Sequence, residues 1–330
     1  MVNVVITGGA GFLGARLARE LLAAGSLAVA GGEPRPLAGV TLIDRAPVPA
    51  NLAADGRVTA LRGELPDLVA GGAGPLAGAE VIFHLAAAVS GECETDFDLG
   101  IRANLRATEA LLACGRALGT SPVVVFSSSF AVFGVSDEHP LPAVLDDHTL
   151  PTPQTSYGIQ KFIGEQLLAD YTRKGFLTGR AVRLATVSVR PGRPNAAASG
   201  FASGIIREPL AGQRATCPVE PGTEIALASP TKAIAALLCA ATSADQVWGG
   251  RTALTMPALT VTVAEMAAAL TRVAGPEVTA LIDWVPDPAV ERIVNTWPAQ
   301  VRADRAGRLG LTPDPDFDSV IRAHLAESRP

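Results

Sequence analysis

The chain has 330 residues, and 27 basic against 32 acidic side chains give it a formal net charge of −5 at pH 7. Hydrophobic residues make up 48% and charged residues only 18%, which excludes an intrinsically disordered protein. The acidic balance disfavours nucleic acid or an anionic membrane surface as the partner, since both select basic patches. No apolar run approaches the roughly 20 residues of a membrane helix, and no basic segment precedes the apolar N-terminus, so we expect a cytoplasmic protein.

The cysteines and histidines are dispersed along the chain and show no metal-type spacing. The cysteines contain no CxxC pair, so we expect free thiols in a reducing compartment and no metal site. These residues are Cys93, Cys114, Cys217 and Cys239, and His84, His139, His148 and His324.

Short apolar runs alternate with helical patterns in the first half of the chain, which begins with a predicted strand at Val2–Thr7 and a helix at Phe12–Ala24. Further strands are predicted at Val40–Asp44, Val58–Leu61, Glu80–Leu85 and Val123–Ser128. Continuous apolar strands separated by helices are typical of a parallel sheet that is covered on both faces. Two glycine-rich segments, 26–39 and 70–78, predict surface excursions between these elements.

After residue 150 the pattern loosens, with a predicted helix at Ser156–Arg173, a strand at Arg180–Val189 and then frequent prolines. Later helices are predicted at Ser199–Leu210, Thr231–Thr242, Val263–Val273 and Asp318–Ala326. The predicted fold class is α/β, with a doubly wound parallel sheet and a smaller C-terminal lobe. We place the first domain at 1–187 and the second lobe at 188–330, and expect residues 224–256 to return to the first domain.

A glycine-rich turn separates the first predicted strand from the first helix, in Thr7-Gly8-Gly9-Ala10-Gly11-Phe12-Leu13-Gly14. Gly8, Gly11 and Gly14 would let backbone amides and the helix N-terminus approach a pyrophosphate. The alternative is that these glycines form an ordinary turn without a ligand. Between a strand and a helix, however, this spacing predicts a dinucleotide-binding domain of the Rossmann type.

Asp44 ends the second predicted strand, where a carboxylate can accept hydrogen bonds from both ribose hydroxyls of an adenosine. The same carboxylate would repel a 2′-phosphate, so the sequence predicts NAD rather than NADP. The insertion at 26–39 explains why Asp44 follows the glycines at an unusually long interval. Two alternatives stay open: Asp44 is an ordinary solvated turn residue, or the neighbouring Arg45 receives a phosphate.

Tyr157 and Lys161 are separated by one turn of a predicted helix and therefore share a helix face. A phenol has an unperturbed pKa of about 10, too high for an efficient base near neutrality. One positive charge at ~4 Å, with an effective dielectric constant near ~20, contributes roughly 4 kcal/mol, or about three pKa units. We therefore expect Lys161 to lower the pKa of Tyr157, unless the two are only a helix-surface pair. A serine at the end of the strand Val123–Ser128, in Ser127-Ser128-Ser129, can hydrogen-bond a substrate alcohol and hold it against the phenol.

Four motifs in chain order, TGGAGFLG, HLAA, SSSFAVFG and YGIQK, resemble the extended short-chain dehydrogenase/reductase family across nearly the whole chain. The resemblance implies that tyrosine takes the proton of an alcohol while hydride moves to the nicotinamide of NAD. The catalytic residues it implies are Ser129, Tyr157 and Lys161. The NAD-binding residues it implies are Gly8, Gly11, Phe12, Leu13, Gly14, Asp44, Glu64, Leu65, Ala86, Ala87, Ala88, Asn104, Ser127, Tyr157, Lys161, Thr186 and Val187. Glu64 stands where the family usually has an aspartate.

The sequence differs from other members of this family at positions that matter for two activities, dehydration and the epimerisation of nucleotide sugars. Dehydratases carry an Asp-Glu pair where this chain has Phe130-Ala131, so the acid and base for elimination are missing. Nucleotide-sugar epimerases usually carry Tyr-Phe-Asn where this chain has Ala185-Thr186-Val187-Ser188. The second lobe also contains no tyrosine and little aromatic surface on which a uracil could stack.

Segments 189–201 and 205–210 resemble the D-erythronate dehydrogenase class, which oxidises the 2-hydroxyl of a four-carbon sugar acid with NAD. A small acid needs a carboxylate anchor, such as an arginine fork or a helix N-terminus. The candidate forks are Arg190, Arg193 and Arg207. Arg207 is the first choice because its helix is otherwise apolar, with Ser199 as the donor at the helix start. A salt bridge to Glu208 is the alternative role for Arg207.

The sequence thus predicts NAD-dependent oxidation of the 2-hydroxyl of a short sugar acid, D-erythronate giving 2-dehydro-D-erythronate. We expect Ser129, Tyr157, Ser199 and Arg207 to bind this substrate. Two alternatives stay open: a nucleotide-sugar 4-epimerase with tightly bound NAD, and a catalytically silent protein that senses NAD. The expected partner is the small sugar acid, with a homodimer left open and neither nucleic acid nor a membrane expected.

Overall fold

The computed structural model describes residues 1–327 apart from 71, 73, 137, 139 and 193–197. The strands are β1 Val2–Thr7, β2 Ser26–Leu27, β3 Arg35–Asp44, β4 Val58–Arg62, β5 Val81–His84, β6 Val123–Ser129, β7 Thr178–Leu184, β8 Thr186–Val187, β9 Ala215–Cys217, β10 Glu224–Ala228, β11 Leu254–Thr255, β12 Leu259–Thr262 and β13 Ile282–Trp284. The helices are α1 Phe12–Ala24, α2 Ala50–Ala53, α3 Leu65–Val69, α4 Ser90–Thr95, α5 Phe97–Gly100, α6 Ala107–Ala117, α7 Ser156–Arg173, α8 Phe201–Leu210, α9 Pro230–Thr242, α10 Asp245–Trp248, α11 Val263–Ala274, α12 Pro276–Thr279, α13 Pro288–Val294, α14 Asp304–Arg308 and α15 Phe317–Glu327. Ile101–Arg106 is π-helical, and 3₁₀ turns cover Gly74–Leu76, Phe130–Val132 and Ala198–Gly200.

The main sheet is parallel and has helices on both faces. Its strand order is β4-β3-β1-β5-β6-β7-β11, and the short β2 pairs antiparallel with β3. The order reverses between β1 and β5. At such a switch point an α/β sheet opens a ligand crevice beside the carboxyl ends of its strands. The predicted doubly wound sheet of the Rossmann type is confirmed.

The side chains of β1 alternate between the two faces of the main sheet, and each face packs against a layer of helices. Val4 and Ile6 pack into a core that also contains Leu17 of α1. Val5 packs into a separate core on the other face, with Leu111 of α6. Because successive side chains of a strand point to opposite faces, an uninterrupted apolar run buries both faces of the sheet.

A further hydrophobic core lies in the C-terminal part of the chain. It contains Ile205 of α8, Leu270 of α11 and Ile321 of α15. Two small sheets, β8-β10-β12 and β9-β13, also lie in this part. Between 224 and 256, β10 belongs to the first of these sheets, whereas α9 packs in the core of the main sheet and β11 pairs with β7. The domain boundary between 187 and 188 stays a prediction.

The segment predicted as a surface excursion at 26–39 differs in part from the structure. β3 begins at Arg35 rather than at Val40, and β2 pairs with its first residues. The amides of Ala30 and Gly31 donate to the last carbonyls of α9, which ties the insertion to the fold. Glycine and proline have low strand propensity, so the composition of segment 26–39 did not indicate this hairpin.

Two later elements also differ from their predicted bounds. The strand predicted at 180–189 is split, because β8 pairs with β10 whereas β7 pairs with β6. The helix predicted from Ser199 begins at Phe201, after the 3₁₀ turn at 198–200. Among the described residues, no helix has both the length and the apolar character needed to cross a bilayer.

Candidate active site

The turn between β1 and α1 packs its backbone against the loop after β5. Gly8 has a φ of +73°, and a Cβ there would lie 2.8 Å from the Ala86 nitrogen. A Cβ at Gly14 would lie 2.1 Å from the Gly8 oxygen. Both approaches are to backbone atoms that cannot move aside as a side chain can, so only glycine fits these positions.

The same turn fits the pyrophosphate of NAD. Gly11 precedes α1 without a side-chain cap, so Phe12 and Leu13 begin the helix with amides that no side chain of the described residues satisfies. A helix N-terminus carries a partial positive charge and free N–H groups, which together bind an anion. Glycine at positions 8 and 14 adds no side chain of its own next to this helix N-terminus.

Asp44 ends β3, and two backbone amides fix its carboxylate. One oxygen accepts a hydrogen bond from Ala10 at 3.0 Å and the other accepts one from Ala46 at 2.9 Å. Arg45 instead pairs with Glu64, with 3.6 Å between Nη1 and Oε1, and both of these side chains are exposed. The carboxylate therefore lies beside the glycine turn, while the neighbouring guanidinium is engaged with another acid.

We expect the protein to bind NAD at least about tenfold more tightly than NADP, because a 2′-phosphate would forfeit charge-assisted hydrogen bonds worth about 1.5–3 kcal/mol each. Asp44→Ser should reduce this ratio. As a control, Asp170→Ser removes an exposed carboxylate at the opposite end of α7 from Tyr157 and should leave the ratio unchanged. Calorimetric titration of both cofactors gives the dissociation constants. If Asp44→Ser kept the wild-type ratio, Asp44 would not be the discriminating group.

His84, at the end of β5, is buried and joins two threonines. Its Nδ1 lies 2.7 Å from Thr7 Oγ1, and its Nε2 lies 2.9 Å from Thr108 Oγ1. Burial, and then the charge of Lys161, lower the pKa of His84 to about 3. The neutral imidazole therefore links β1, β5 and α6. Within the described ranges, no group of His, Cys, Asp and Glu side chains could hold a metal ion.

Asn104 holds the loop that follows β5. Its Oδ1 accepts from the amide of Ala88 at 2.8 Å, and its Nδ2 donates to Gln160 Oε1 at 2.8 Å. Asn104 lies in the π-helical segment, a form that is frequent at functional sites. The loop that carries the predicted cofactor residues Ala86, Ala87 and Ala88 is thereby tied to α7.

The other predicted cofactor residues lie at the same edge of the sheet, where parallel strands end. The Ser127 hydroxyl, near the end of β6, donates to the His84 carbonyl at 3.1 Å. Leu65 is buried at the start of α3, just after β4. Thr186 and Val187 form β8, just after β7. The roles of these residues stay predictions.

The three predicted catalytic residues come together where β6 ends and α7 begins. Thr155 caps α7 by accepting a hydrogen bond from the amide of Gly158 at 3.1 Å, which places Tyr157 in the first turn. A Cβ at Gly158 would lie only 2.0 Å from the Ala131 oxygen. The start of the helix therefore packs directly on the backbone that follows Ser129.

The phenol of Tyr157 is half-buried and interacts with a hydroxyl and a guanidinium. Burial raises the pKa of Tyr157 to about 12, while a hydrogen bond with Ser129 and the charge of Arg190 act in the opposite direction. Lys161 donates to the carbonyl of Ser127 at 2.8 Å, and its Nζ lies 5.6 Å from the centre of the Tyr157 ring. Burial lowers the pKa of Lys161 to about 8.

These positions correct the expectation that Lys161 lowers the pKa of Tyr157. That expectation assumed an ammonium at ~4 Å from the phenol, whereas the ammonium donates to the carbonyl of Ser127. Burial disfavours the charged form of an ionisable group, and here it outweighs the charges around the phenol. The groups that oppose this rise in pKa are Ser129 and Arg190.

On the substrate side, two candidate arginines have different partners. Arg190 Nη2 donates to Ser199 Oγ at 2.8 Å. Arg207 pairs with Glu208, with 2.5 Å between Nη2 and Oε1, and its Nη1 donates to the carbonyl of Arg190 at 2.7 Å. Arg193 lies outside the described residues. Both terminal nitrogens of Arg207 therefore have partners among the described residues, and the roles of Arg190 and Arg207 toward a carboxylate stay predictions.

Sequence reasoning missed a buried polar network next to Ser129. Glu165 makes a two-point ion pair with Arg183, at 2.9 and 2.7 Å, and also accepts from the hydroxyl of Ser128. Burial lowers the pKa of Lys161, and the charge of Glu165 acts in the opposite direction. The spacing of Lys161 and Glu165 by one helical turn was the signal that could have found this pair.

Comparisons with known proteins identify the family of this chain. The chain matches the model of the NAD dependent epimerase/dehydratase family over residues 4–229. It is 50% identical over 327 residues to D-erythronate dehydrogenase from Cupriavidus necator, covering 99% of each chain. It is 38% identical to D-erythronate dehydrogenase from Haemophilus influenzae, covering 98% of this chain and 99% of that protein.

A solved structure is similar over the same length. It is described as the nucleoside-diphosphate-sugar epimerase from Agrobacterium tumefaciens and shares 42% sequence identity, with a TM-score of 0.86. The match covers 99% of this chain and 94% of that chain. The resemblance drawn from the four motifs is confirmed, and the chain belongs to the NAD dependent epimerase/dehydratase family.

Proposed function

We propose that this protein oxidises the 2-hydroxyl of a short sugar acid with NAD, and that D-erythronate giving 2-dehydro-D-erythronate is the reaction. At the coarser level, the chain is an NAD-dependent dehydrogenase of its family. The observation that supports oxidation of an alcohol is that Ser129, Tyr157 and Lys161 lie together where β6 ends and α7 begins. Similarity over nearly the whole chain to two D-erythronate dehydrogenases supports the substrate.

The side chains of Ser129 and Tyr157 orient the substrate alcohol and accept its proton. NAD, when bound, supplies a nicotinamide ring that accepts hydride. The Ser129 hydroxyl orients the substrate alcohol, and Tyr157, once it has lost its own proton to solvent, accepts the proton of the alcohol at its phenolate oxygen. The hydrogen bond with Ser129 and the charge of Arg190 favour the phenolate, while Lys161 donates to the carbonyl of Ser127.

A nucleotide-sugar 4-epimerase is the second candidate, and the solved structure described as an epimerase favours it. The same three side chains would serve that reaction. An epimerase must return the hydride to its sugar, however, and so retains its NAD. Exchange of NAD during turnover therefore separates the two functions. Assembly as a homodimer stays a prediction.

Substrate screening tests the proposal. The protein with D-erythronate and added NAD should form NADH steadily, measured by absorbance, while UDP-hexoses should neither react nor compete. The neutral polyol erythritol is the control, because it carries comparable hydroxyls without a carboxylate and should react poorly. Conversion of a UDP-hexose to its epimer without added NAD would overturn the proposal in favour of the epimerase.

A further inference from the structure

Arg190 connects the catalytic phenol with the residues at the start of α8. Its Nη2 donates to Ser199 Oγ at 2.8 Å, and its backbone amide donates to Ser203 Oγ at 3.0 Å. Burial raises the pKa of Tyr157, and the Arg190 guanidinium acts against that rise. Burial lowers the pKa of Arg190, and the phenol in turn acts on the guanidinium against that effect.

The charge on Arg190 has no carboxylate partner in the part of the chain that the structure describes, since none of the ion pairs there includes it. The side chain is nevertheless partly buried, and burial lowers the pKa of its guanidinium. A buried charge without a counterion is unfavourable. Two oxygens of a carboxylate would satisfy the planar fork with charge-assisted hydrogen bonds.

Arg207 is arranged differently, although it lies close to Arg190. Its Nη2 is paired with Glu208 Oε1 at 2.5 Å, so its charge is already compensated. Its other terminal nitrogen donates to the carbonyl of Arg190 at 2.7 Å. Arg207 is therefore suited to hold the backbone of Arg190 in place.

We propose that Arg190 binds the carboxylate of the substrate, with the Ser199 hydroxyl orienting its fork and Arg207 acting as a positioning residue. This inference rests on the proposed function and specifies its selectivity. In a 2-hydroxy acid the hydroxyl and the carboxylate are on adjacent carbons. One small molecule can therefore contact Arg190 and place its 2-hydroxyl at Tyr157, whereas a 3- or 4-hydroxyl would lie farther from the phenol.

Steady-state kinetics at saturating NAD test this assignment, with D-erythronate and its neutral amide as paired substrates. Arg190→Gln should raise KM for D-erythronate by roughly 10²-fold, the effect of losing a charged two-point contact. It should also abolish the preference for the acid over the amide. Arg190→Lys keeps the charge without the planar fork. Its KM for D-erythronate should therefore lie between the KM of the wild type and that of Arg190→Gln. NAD affinity of every variant, measured by calorimetry, checks that the protein is folded.

Arg207→Gln distinguishes anchor from positioning residue. It should raise KM less than Arg190→Gln does and should keep the preference for the acid, with kcat retained. Arg173→Gln is the matched control, because Arg173 pairs with Asp170 on the exposed surface at the end of α7. That variant should match the wild type in KM and in acid preference.

These measurements distinguish failure of the Arg190 assignment from failure of the proposed function. If the wild type oxidises D-erythronate but Arg190→Gln keeps the wild-type KM and acid preference, the anchor is overturned and the proposed function stands. Loss of acid preference in Arg207→Gln alone would identify Arg207 as the anchor. If the wild type neither oxidises D-erythronate nor binds it in the presence of NADH, the proposed function fails, and the assignment of Arg190 fails with it.

Discussion

Replacing Tyr157 with phenylalanine is expected to lower kcat for oxidation of D-erythronate by roughly 10²–10⁴-fold, the contribution typical of a positioned acid or base. The substitution removes the proton acceptor and leaves the glycine turn and Asp44 untouched. The dissociation constant for NAD should therefore change little. Initial rates of NADH formation and calorimetric titration with NAD measure the two quantities separately.

The pH dependence of the rate gives a second readout for Tyr157. Burial raises the pKa of Tyr157 to about 12, so the fraction in the basic form grows as pH increases toward that value. Well below a pH of about 8, the pKa of Lys161, the lysine stays protonated, so a change in rate there does not come from its titration. Oxidation by the wild type should therefore speed up with rising pH in that range, and Tyr157→Phe should lose this slope.

Tyr171→Phe is the matched control for the same experiment. Tyr171 lies on the same helix and packs edge-on against Phe176, with 5.8 Å between ring centres. Loss of its hydroxyl should leave kcat and its pH dependence unchanged. Near-normal turnover in Tyr157→Phe, with NAD bound as in the wild type, would remove Tyr157 from the proposed mechanism.

Features that depend on neighbours in sequence were predictable without a structure. The glycine turn needs only a strand at Val2–Thr7, a helix at Phe12–Ala24 and small residues between them, and both elements have the predicted bounds. Tyr157 and Lys161 share a helix face because of their spacing alone. The parallel sheet followed from the apolar strands, since strands of this kind are buried on both faces.

Features that depend on distant segments were not predictable. The pKa of Tyr157 is set first by burial, which sums contributions from every element packed around the phenol. The hydrogen bond from Arg207 to the carbonyl of Arg190 joins helix α8 to the loop after β8, and no local pattern in the sequence indicates it. The π-helical segment at 101–106 escaped prediction because such a turn has no hydrophobic periodicity of its own to detect.

The close contact at Gly158 predicts the second large effect. A Cβ at this position would lie 2.0 Å from the Ala131 oxygen, so in Gly158→Ala the start of α7 must move away from the end of β6. This movement would separate Tyr157 from Ser129. A displacement of roughly 1 Å in an active site can lower the rate by about 10²-fold, and we expect a loss of that size in kcat. NAD affinity should change little, because the turn at Gly8 is untouched.

Gly115→Ala is the control for Gly158→Ala. Gly115 lies in α6, where a Cβ would meet only Leu177 Cδ2, at 3.8 Å, so the substitution fits without movement. It should leave kcat unchanged and raise the free energy of unfolding by about 0.5–1 kcal/mol, since alanine favours a helix more than glycine does. Overpacking in Gly158→Ala should instead lower the free energy of unfolding by roughly 1–3 kcal/mol. Denaturant titration and NADH formation measure both variants. Wild-type turnover in Gly158→Ala would mean that the distance between Ser129 and Tyr157 does not depend on this contact.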